Sequence, residues 1–337
     1  MLFPVLLLLA MLGTEGPSQY VLSSSDPAVN QAGQLLNSSQ PSHALDLLRP
    51  AVQRHPSDPA VLLLAGLAAY RSDHLPEALH YWSQSLDLAP NRALNAIYQD
   101  AQRETDADHS SEKLLSTHIA LRYEAGVLPV DVGRAILTTL EEDYARISAQ
   151  LGCMPSERIV AIVQSREQYR RATNAAEWSG GHYDGRIHVA WSPESESGES
   201  GSVGPEPIGS EPGPQVRRAL AHELVHACLM SLPSGSHPWP VWLQEGLAQK
   251  LSGDTLQPSV REELRQLAAT HGLPRLEDLG LDWFSMPRQA AVAAYELSLA
   301  AADTLFDDYS VNGISKILTT PEALPRITAD LDAKLGL

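Results

Sequence analysis

Two histidines flanking a glutamate are the residues of this chain best suited to metal chemistry. His222, Glu223 and His226 form the pattern His-Glu-x-x-His. On an α-helix, residues four positions apart lie about 40° from each other around the axis, so both imidazoles can reach one metal ion. The carboxylate of Glu223 projects near the same face and could take a proton from a metal-bound water. The pattern predicts two metal ligands and a general base on one helix.

A third ligand is expected on the next helix. Glu245 follows His226 by 19 positions, and the proline-containing segment 233–240 between them lets the chain turn back. Two histidines and one glutamate fill three positions of a tetrahedral zinc site and leave the fourth for water, which is the arrangement of a catalytic zinc site. His222, His226 and Glu245 are therefore the predicted metal ligands, and Zn²⁺ is the predicted cofactor.

The sequence around these residues resembles that of the gluzincins, the zinc-metallopeptidase group that includes the thermolysin-like enzymes. More closely, it resembles the peptidase MA-like domains that occur beside tetratricopeptide repeats in bacterial proteins. Four stretches carry the resemblance: 220–226, 239–248, 180–187 and 294–298. The resemblance implies an α+β, thermolysin-like catalytic domain that hydrolyses peptide bonds.

The same resemblance assigns roles to individual residues. His222, His226 and Glu245 would bind zinc, and Glu223 would be the general base and proton shuttle. Tyr295 lies downstream of the third ligand, where gluzincins often have a residue that donates a hydrogen bond to the oxyanion. The alternative for Tyr295 is a tyrosine packed in a helix rich in Ala and Leu.

Substrate contacts are expected before the strand predicted at 186–191, which in gluzincins can be the edge strand that pairs with an extended peptide. His182 and Tyr183 precede it and are the candidate substrate-binding residues. The alternative is a turn whose shape is set by Gly181 and Gly185.

One position departs from the gluzincin pattern. Several gluzincins have an acidic residue four positions after the ligand glutamate, where it orients the first histidine; this chain has Gln249 there. An amide oxygen can accept the same imidazole N–H, but it raises the basicity of His222 less than a carboxylate does.

The elements that precede this domain show an internal period of 34 residues between about 25 and 91. Small residues and prolines recur at matching offsets, including Ala44 with Ala78 and Pro56 with Pro90. The pattern resembles the tetratricopeptide repeat and predicts an all-α module at 20–103, with a further helix at about 93–103. An ordinary bundle of helical hairpins is the alternative.

Composition along the chain predicts the remaining organisation. A polar, acidic segment at 104–112 is expected to be a linker, and 113–337 to be the zinc peptidase domain. The segment 192–214 is rich in Ser, Gly, Pro and Glu, so we expect a flexible acidic loop. Hydrophobic periodicity predicts strands at 119–123, 159–163 and 186–191, a helix at 130–151, and mostly helices after 215.

Charge and hydropathy exclude two classes of partner. The formal net charge of −17 argues against electrostatic binding to nucleic acid or to an anionic membrane surface. No apolar run approaches the roughly 20 residues of a membrane-spanning helix. The expected partners are a peptide or protein substrate and a protein that docks on the helical repeats.

The N-terminal residues suggest export. Residues 2–12 are apolar and of the length of a signal-peptide core, so 1–16 is predicted to be a signal peptide and the protein to be periplasmic or secreted. A buried N-terminal segment in a cytoplasmic protein is the alternative.

Cys228 is expected to be a buried apolar residue, while export would also permit a disulfide with Cys153.

These patterns together predict zinc-dependent hydrolysis of peptide bonds, with the helical repeats docking a partner or substrate. Two alternatives stay open. The chain could be a non-catalytic repeat scaffold with a degenerate zinc domain, or the same metal centre could hydrolyse a different bond.

Overall fold

Helices and one β-sheet make the chain an α+β protein, as the sequence predicts. The computed structural model describes residues 24–107, 111–173, 179–191, 212–232, 239–270, 272–279, 283 and 288–337. The predicted signal peptide at 1–16 and residues 192–211 of the predicted acidic loop lie outside these residues.

Five consecutive helices form the first part of the described chain. Two of them begin at a proline preceded by Asp26 or Asp58, whose carboxylates accept hydrogen bonds from the first backbone N–H groups. A Cβ atom at Gly66 would lie 2.2 Å from the Trp82 ring, so glycine is required where this ring packs on the preceding helix. The helices are α1 (Pro27–Asn37), α2 (Pro41–Arg54), α3 (Pro59–Arg71), α4 (Leu75–Leu88) and α5 (Arg92–Ala107).

The structure differs from the linker expected at 104–112. Helix α5 continues to Ala107, and strand β1 (Ser111–Leu115) follows. Glu104 is only 3% exposed, because it is paired with buried arginines rather than with water. The polar composition of this segment therefore does not reveal that Glu104 is a buried charge.

The β-sheet has the strand order β1-β2-β3-β5-β4 within the described residues. The three inner strands are parallel to one another, and the two outer strands pair antiparallel with their neighbours. The predicted strands at 119–123, 159–163 and 186–191 are confirmed. The strands after β1 are β2 (Ile119–Glu124), β3 (Ile159–Ser165), β4 (Gly181–Tyr183) and β5 (Ile187–Trp191).

Two helices connect the parallel strands, as parallel pairing requires. Helix α6 (Val130–Leu151) has the predicted bounds and ends at Gly152, whose φ of 75° is left-handed. Helix α7 (Arg166–Thr173) follows β3. Helix α6 lies between two strands, as the predicted order of elements requires, and α7 is a further helix that the sequence did not indicate.

The two faces of the sheet differ in polarity because successive strand residues point to opposite sides. Ile187, Val189 and Trp191 belong to the apolar core, into which α6 and α8 (Pro214–Ser231) also pack. Arg186 and His188 alternate with them on β5 and are buried on the opposite face. That second face meets the helical module.

The described residues after 215 are mainly helical, as expected. None of the helices in the described ranges combines the length and hydropathy of a membrane span. These helices are α9 (Val241–Ser252), α10 (Pro258–Ala269), α11 (Arg288–Asp308), α12 (Val311–Thr319) and α13 (Leu324–Leu335).

Buried charges join the helical module to the sheet. The buried apolar residues form two separate clusters, one in each part of the chain. Glu104 accepts hydrogen bonds from Nη1 and Nη2 of Arg186 at 3.0 and 2.8 Å and also contacts Arg122. Asp73, just after α3, lies 3.3 Å from Arg122 and 3.6 Å from Arg186. The interface is therefore an ion network with little access to water.

The disulfide between Cys153 and Cys228, which the sequence left open, is present in the structure. Cys228 on α8 forms a disulfide with Cys153, which lies two residues beyond the end of α6; their Cα atoms are 5.5 Å apart. Both residues are buried, as predicted for Cys228. With two cysteines separated by 75 positions, sequence alone could not decide whether they meet.

The ion network makes a pH-dependent contribution to stability. Burial raises the pKa of Glu104, but the charges of Arg186, His188 and Arg122 outweigh this and lower it to about 2. Because the folded-state pKa lies below the ordinary value of 4.5, the contribution is present above pH 4.5 and is lost as the pH falls toward 2. We expect Glu104→Gln to lose on the order of 3 kcal/mol of unfolding free energy at neutral pH.

Urea unfolding at several pH values checks this expectation, with exposed Glu142→Gln as the control. The gap between wild type and Glu104→Gln should close as the solution is acidified. A gap that stays constant down to the lowest pH would contradict the assignment.

Removal of the disulfide should also destabilise the fold. We expect Cys153→Ala/Cys228→Ala to lose about 2–4 kcal/mol of unfolding free energy, because the cross-link restricts the unfolded chain. Urea titration measures the loss. A reductant should lower the unfolding midpoint of the wild type to that of the variant and leave the midpoint of the variant unchanged. Equal midpoints for untreated wild type and variant would contradict this role.

Candidate metal centre

Helices α8 and α9 bring the three predicted ligands together. His222, His226 and Glu245 each offer one ligand atom, and these atoms all lie within 4.8 Å of one another. Nε2 of His222 is 3.3 Å from Oε2 of Glu245, and Nε2 of His226 is 3.6 Å from Oε1. This group could hold a metal ion.

Local packing explains why the two helices present these side chains to each other. Leu224 and Val225, between the histidines, are completely buried and fix the rotation of α8. On α9, a Cβ atom at Gly246 would lie 2.4 Å from the backbone oxygen of Ser298, so glycine allows α9 to approach α11 closely. Glu245 precedes this glycine and faces the histidines.

The electrostatics of the group favour a cation. Burial lowers the pKa of His222, but Glu245 and Glu223 outweigh burial and raise it to about 9. Burial raises the pKa of Glu245, yet His226 and His222 bring it below its ordinary value. Oε2 of Glu245 is buried and faces Nε2 of His222 at 3.3 Å, without the geometry of a hydrogen bond. A bound cation would be a ligand partner for this oxygen and would place a positive charge beside the Glu245 carboxylate.

His226 is suited to metal binding for a different reason. Burial lowers its pKa to about 4, which favours the neutral imidazole. Neutral imidazole is the form that donates a lone pair to a metal.

Glu223 lies beside the ligand group in a dry environment. It is 6% exposed, and burial raises its pKa to about 8, against the opposing effect of His222. A Cβ atom at Gly181 would lie 2.5 Å from Oε1 of Glu223, so the carboxylate packs directly on the backbone of β4. The sequence indicated Gly181 only as a turn residue, whereas in the structure this glycine makes room for Glu223.

Strand β4 corrects the expectation for the sheet edge. The strand at 186–191 was expected to be the edge, but β5 lies between β3 and β4, and β4 is outermost among the described strands. The alternative of a glycine turn holds for Gly185, whose φ is 106°. Gly181 instead belongs to the strand.

The two candidate substrate-binding residues lie on opposite faces of β4. The His182 ring lies 6.4 Å from that of His188, on the face toward the helical module. Burial is the main cause of the lowered pKa of His226, and the charge of His182 lowers it further. Tyr183 lines a small cavity with Ser39 and Met230, and burial raises its pKa to about 12. The structure therefore does not bring them together on one substrate-facing surface.

Tyr295 lies close to the site and is also packed in the core. Its ring meets that of Trp283 edge-on, at a centroid distance of 5.0 Å. Burial, followed by the charges of Glu245 and Glu223, raises the pKa of Tyr295 far above its ordinary value. This position is compatible with both roles considered for Tyr295, which are donation of a hydrogen bond to the oxyanion and packing in the core.

Gln249 holds helices together. Its Nε2 donates a hydrogen bond to the backbone oxygen of Tyr295 at 2.9 Å and another to that of Glu245 at 3.3 Å. This residue fixes the segment of α11 that carries Tyr295 relative to the ligand Glu245. The sequence indicated instead a hydrogen bond with His222.

Comparisons of the chain with models of protein families, with curated proteins and with solved structures found no match. The chemistry assigned to the site therefore rests on its own residues and geometry.

The ligand assignment predicts distinct effects on metal content. We expect wild type, Glu223→Gln and the exposed-site control His80→Ala to bind about one equivalent of Zn²⁺, and His222→Ala to lose it. The reason is that Glu223 lies beside the three ligands and is not one of them. Elemental analysis after chelation and reloading measures this, and equal zinc loss in Glu223→Gln and His222→Ala would contradict the assignment.

Proposed function

We propose that this protein is a zinc-dependent peptidase of the gluzincin type. The observation that carries the proposal is the placement of Glu223 beside a group of two imidazoles and one carboxylate. Ligands 2.0–2.1 Å from a tetrahedral zinc ion are about 3.3 Å apart. The separations of 3.3 and 3.6 Å between Glu245 and the two histidines fit this geometry.

The residues of the chain divide the chemistry between them. Bound zinc would supply a Lewis acid that polarises the carbonyl and acidifies a water molecule. Glu223 would take the proton of that water and then pass it to the leaving amine. Its burial beside the ligand group suits this role, because burial raises the pKa of a carboxyl group and makes it a better proton acceptor than a solvated one. Tyr295 is the proposed donor to the oxyanion.

The exposed edge of β4 supports a peptide as substrate. Ala190 N donates a hydrogen bond to Gly180 O at 3.0 Å, so in this antiparallel pair the next residue, Gly181, directs its N–H and C=O away from β5. The carbonyl of Gly181 accepts a hydrogen bond from Ser179 Oγ at 2.6 Å, which leaves the N–H as the group for a peptide. An extended peptide can add to such an edge through backbone hydrogen bonds. Because Gly181 also contacts Glu223, this peptide would pass beside the general base.

The placement of β4 beside α8, followed by Glu245 on α9, supports a thermolysin-like arrangement of the domain. The buried disulfide supports export, since disulfides persist in oxidising compartments. A protein partner of the proposed tetratricopeptide repeats would bind on the helical module.

A non-catalytic scaffold is the second candidate. Its only support is the helical module, and the complete ligand set together with Glu223 favours an enzyme. Hydrolysis of another bond by the same centre remains distinguishable by experiment.

Replacement of the general base separates these functions. We expect zinc-loaded wild type to cleave a mixed peptide library, and Glu223→Gln to be slower by about 10²–10⁴-fold, because proton transfer is lost. Mass spectrometry of the products measures cleavage, and the exposed Glu167→Gln is the matched control. Zinc-loaded protein without any Glu223-dependent cleavage of peptides would contradict the proposal.

A further inference from the structure

We infer that the helical module is a positioning clamp that holds the substrate-binding edge strand against the general base, through Tyr70 and Glu104 and the tip of the β4–β5 hairpin. This inference rests on the proposed function and adds a regulatory element to the same site. In this proposal the module binds a segment of the same chain, the β4–β5 hairpin.

The inner helix of the module is covered on all sides. Every residue of α3 from Val61 to Arg71 is buried. Helices α2 and α4 pack on two sides of it, and the end of α3 faces the hairpin. The surface that a helical repeat would offer to a partner at this point is occupied by the protein itself.

Several contacts from the helical module hold the hairpin tip. Tyr70 Oη donates a hydrogen bond to Oδ2 of Asp184 at 2.6 Å. The guanidinium of Arg186 lies over the Tyr70 ring at 3.7 Å and is bound at its other side by Glu104. At Gly185, an added Cβ atom would lie 2.5 Å from Nε of Arg71, so the arginine side chain packs against the turn itself.

The opposite end of β4 lies at the candidate metal centre. Gly181 contacts Glu223, and only His182 and Tyr183 separate it from the clamped turn at Asp184. At about 3.3 Å per residue Gly181 and Asp184 are roughly 10 Å apart. Within the described residues β4 pairs with β5 alone and packs on α8, so the tip contacts restrain the one end of the strand that α8 does not hold through Glu223.

The contacts also explain why this restraint is stiff. Arg186 and Glu104 are buried and Asp184 is partly buried, and each charge has an opposite charge as its partner. Moving the tip would separate these charges in a medium of low dielectric, which is costly. The module therefore restrains the edge strand more strongly than a solvated loop could.

Tyr70 and Glu104 are, in this view, positioning residues that act through β4. Loss of the Tyr70 hydroxyl keeps the ring under Arg186 but removes the direct hydrogen bond from the module to Asp184, which keeps only its contacts within the hairpin, with Arg186 and His188. An edge strand that binds the substrate backbone in both the ground state and the transition state affects mainly KM. A merely structural defect would instead reduce the active fraction and so lower kcat at constant KM.

The test uses zinc-loaded full-length protein and compares Tyr70→Phe with the control Tyr81→Phe. Tyr81 belongs to the same module and loses a comparable hydrogen bond, to Glu77, far from the hairpin. Hydrogen exchange of peptides covering 179–187 is followed by mass spectrometry, and KM and kcat are measured on a peptide cleaved by the wild type. We expect Tyr70→Phe alone to exchange about tenfold faster there and to lose about 10- to 100-fold in kcat/KM, mostly through KM.

Two results would overturn the clamp. The first is unchanged exchange at 179–187 in Tyr70→Phe, and this readout holds whether or not any peptide is cleaved. The second is faster exchange with unchanged KM, which would make the contact purely structural. Failure of the wild type to cleave peptides would refute the proposed function, while the exchange measurement would still decide whether the module restrains β4.

Discussion

The placement of a buried carboxylate between two imidazoles is the interaction on which the site depends. Glu245 lies 3.3 and 3.6 Å from His222 and His226, and its Oε2 faces His222 without the geometry of a hydrogen bond. A buried charge of this kind is stable only with a charged partner. That requirement explains the raised pKa of His222 and makes a divalent cation the natural occupant. The packing of α8, α9 and α11 keeps the three ligands at this spacing.

A second group of buried charges lies on the other side of the sheet, and the β4–β5 hairpin connects the two. Glu104, Arg122 and Arg186 join the helical module to the sheet where the apolar clusters remain separate. Near the metal centre, Gly181 of the same hairpin packs against Glu223. The module is thus part of the architecture around the site and is firmly attached to it. This arrangement supports the proposed positioning role of the helical module.

Sequence patterns were most informative where a periodicity or a fixed spacing is imposed by one element. The helix at 130–151, three of the strands and the ligand group 222, 226 and 245 follow from such local rules. Features that depend on contacts between residues far apart in the sequence could not be predicted from these patterns. Glu104 lies in a polar stretch that predicted a linker, but Arg186, 82 positions away, buries it. The disulfide, the outer position of β4 and the contact of Gly181 with Glu223 likewise arise from tertiary packing.

X-ray absorption spectroscopy of the zinc-loaded wild-type protein tests the central claim most directly, because it reports the atoms around the ion. The account predicts about four ligands at roughly 2.0–2.1 Å, with two imidazoles among them and oxygen from Glu245 and water in the other positions. A sulfur ligand, a shell of oxygen atoms without imidazole, or a single imidazole would contradict the assignment of His222 and His226 as joint ligands.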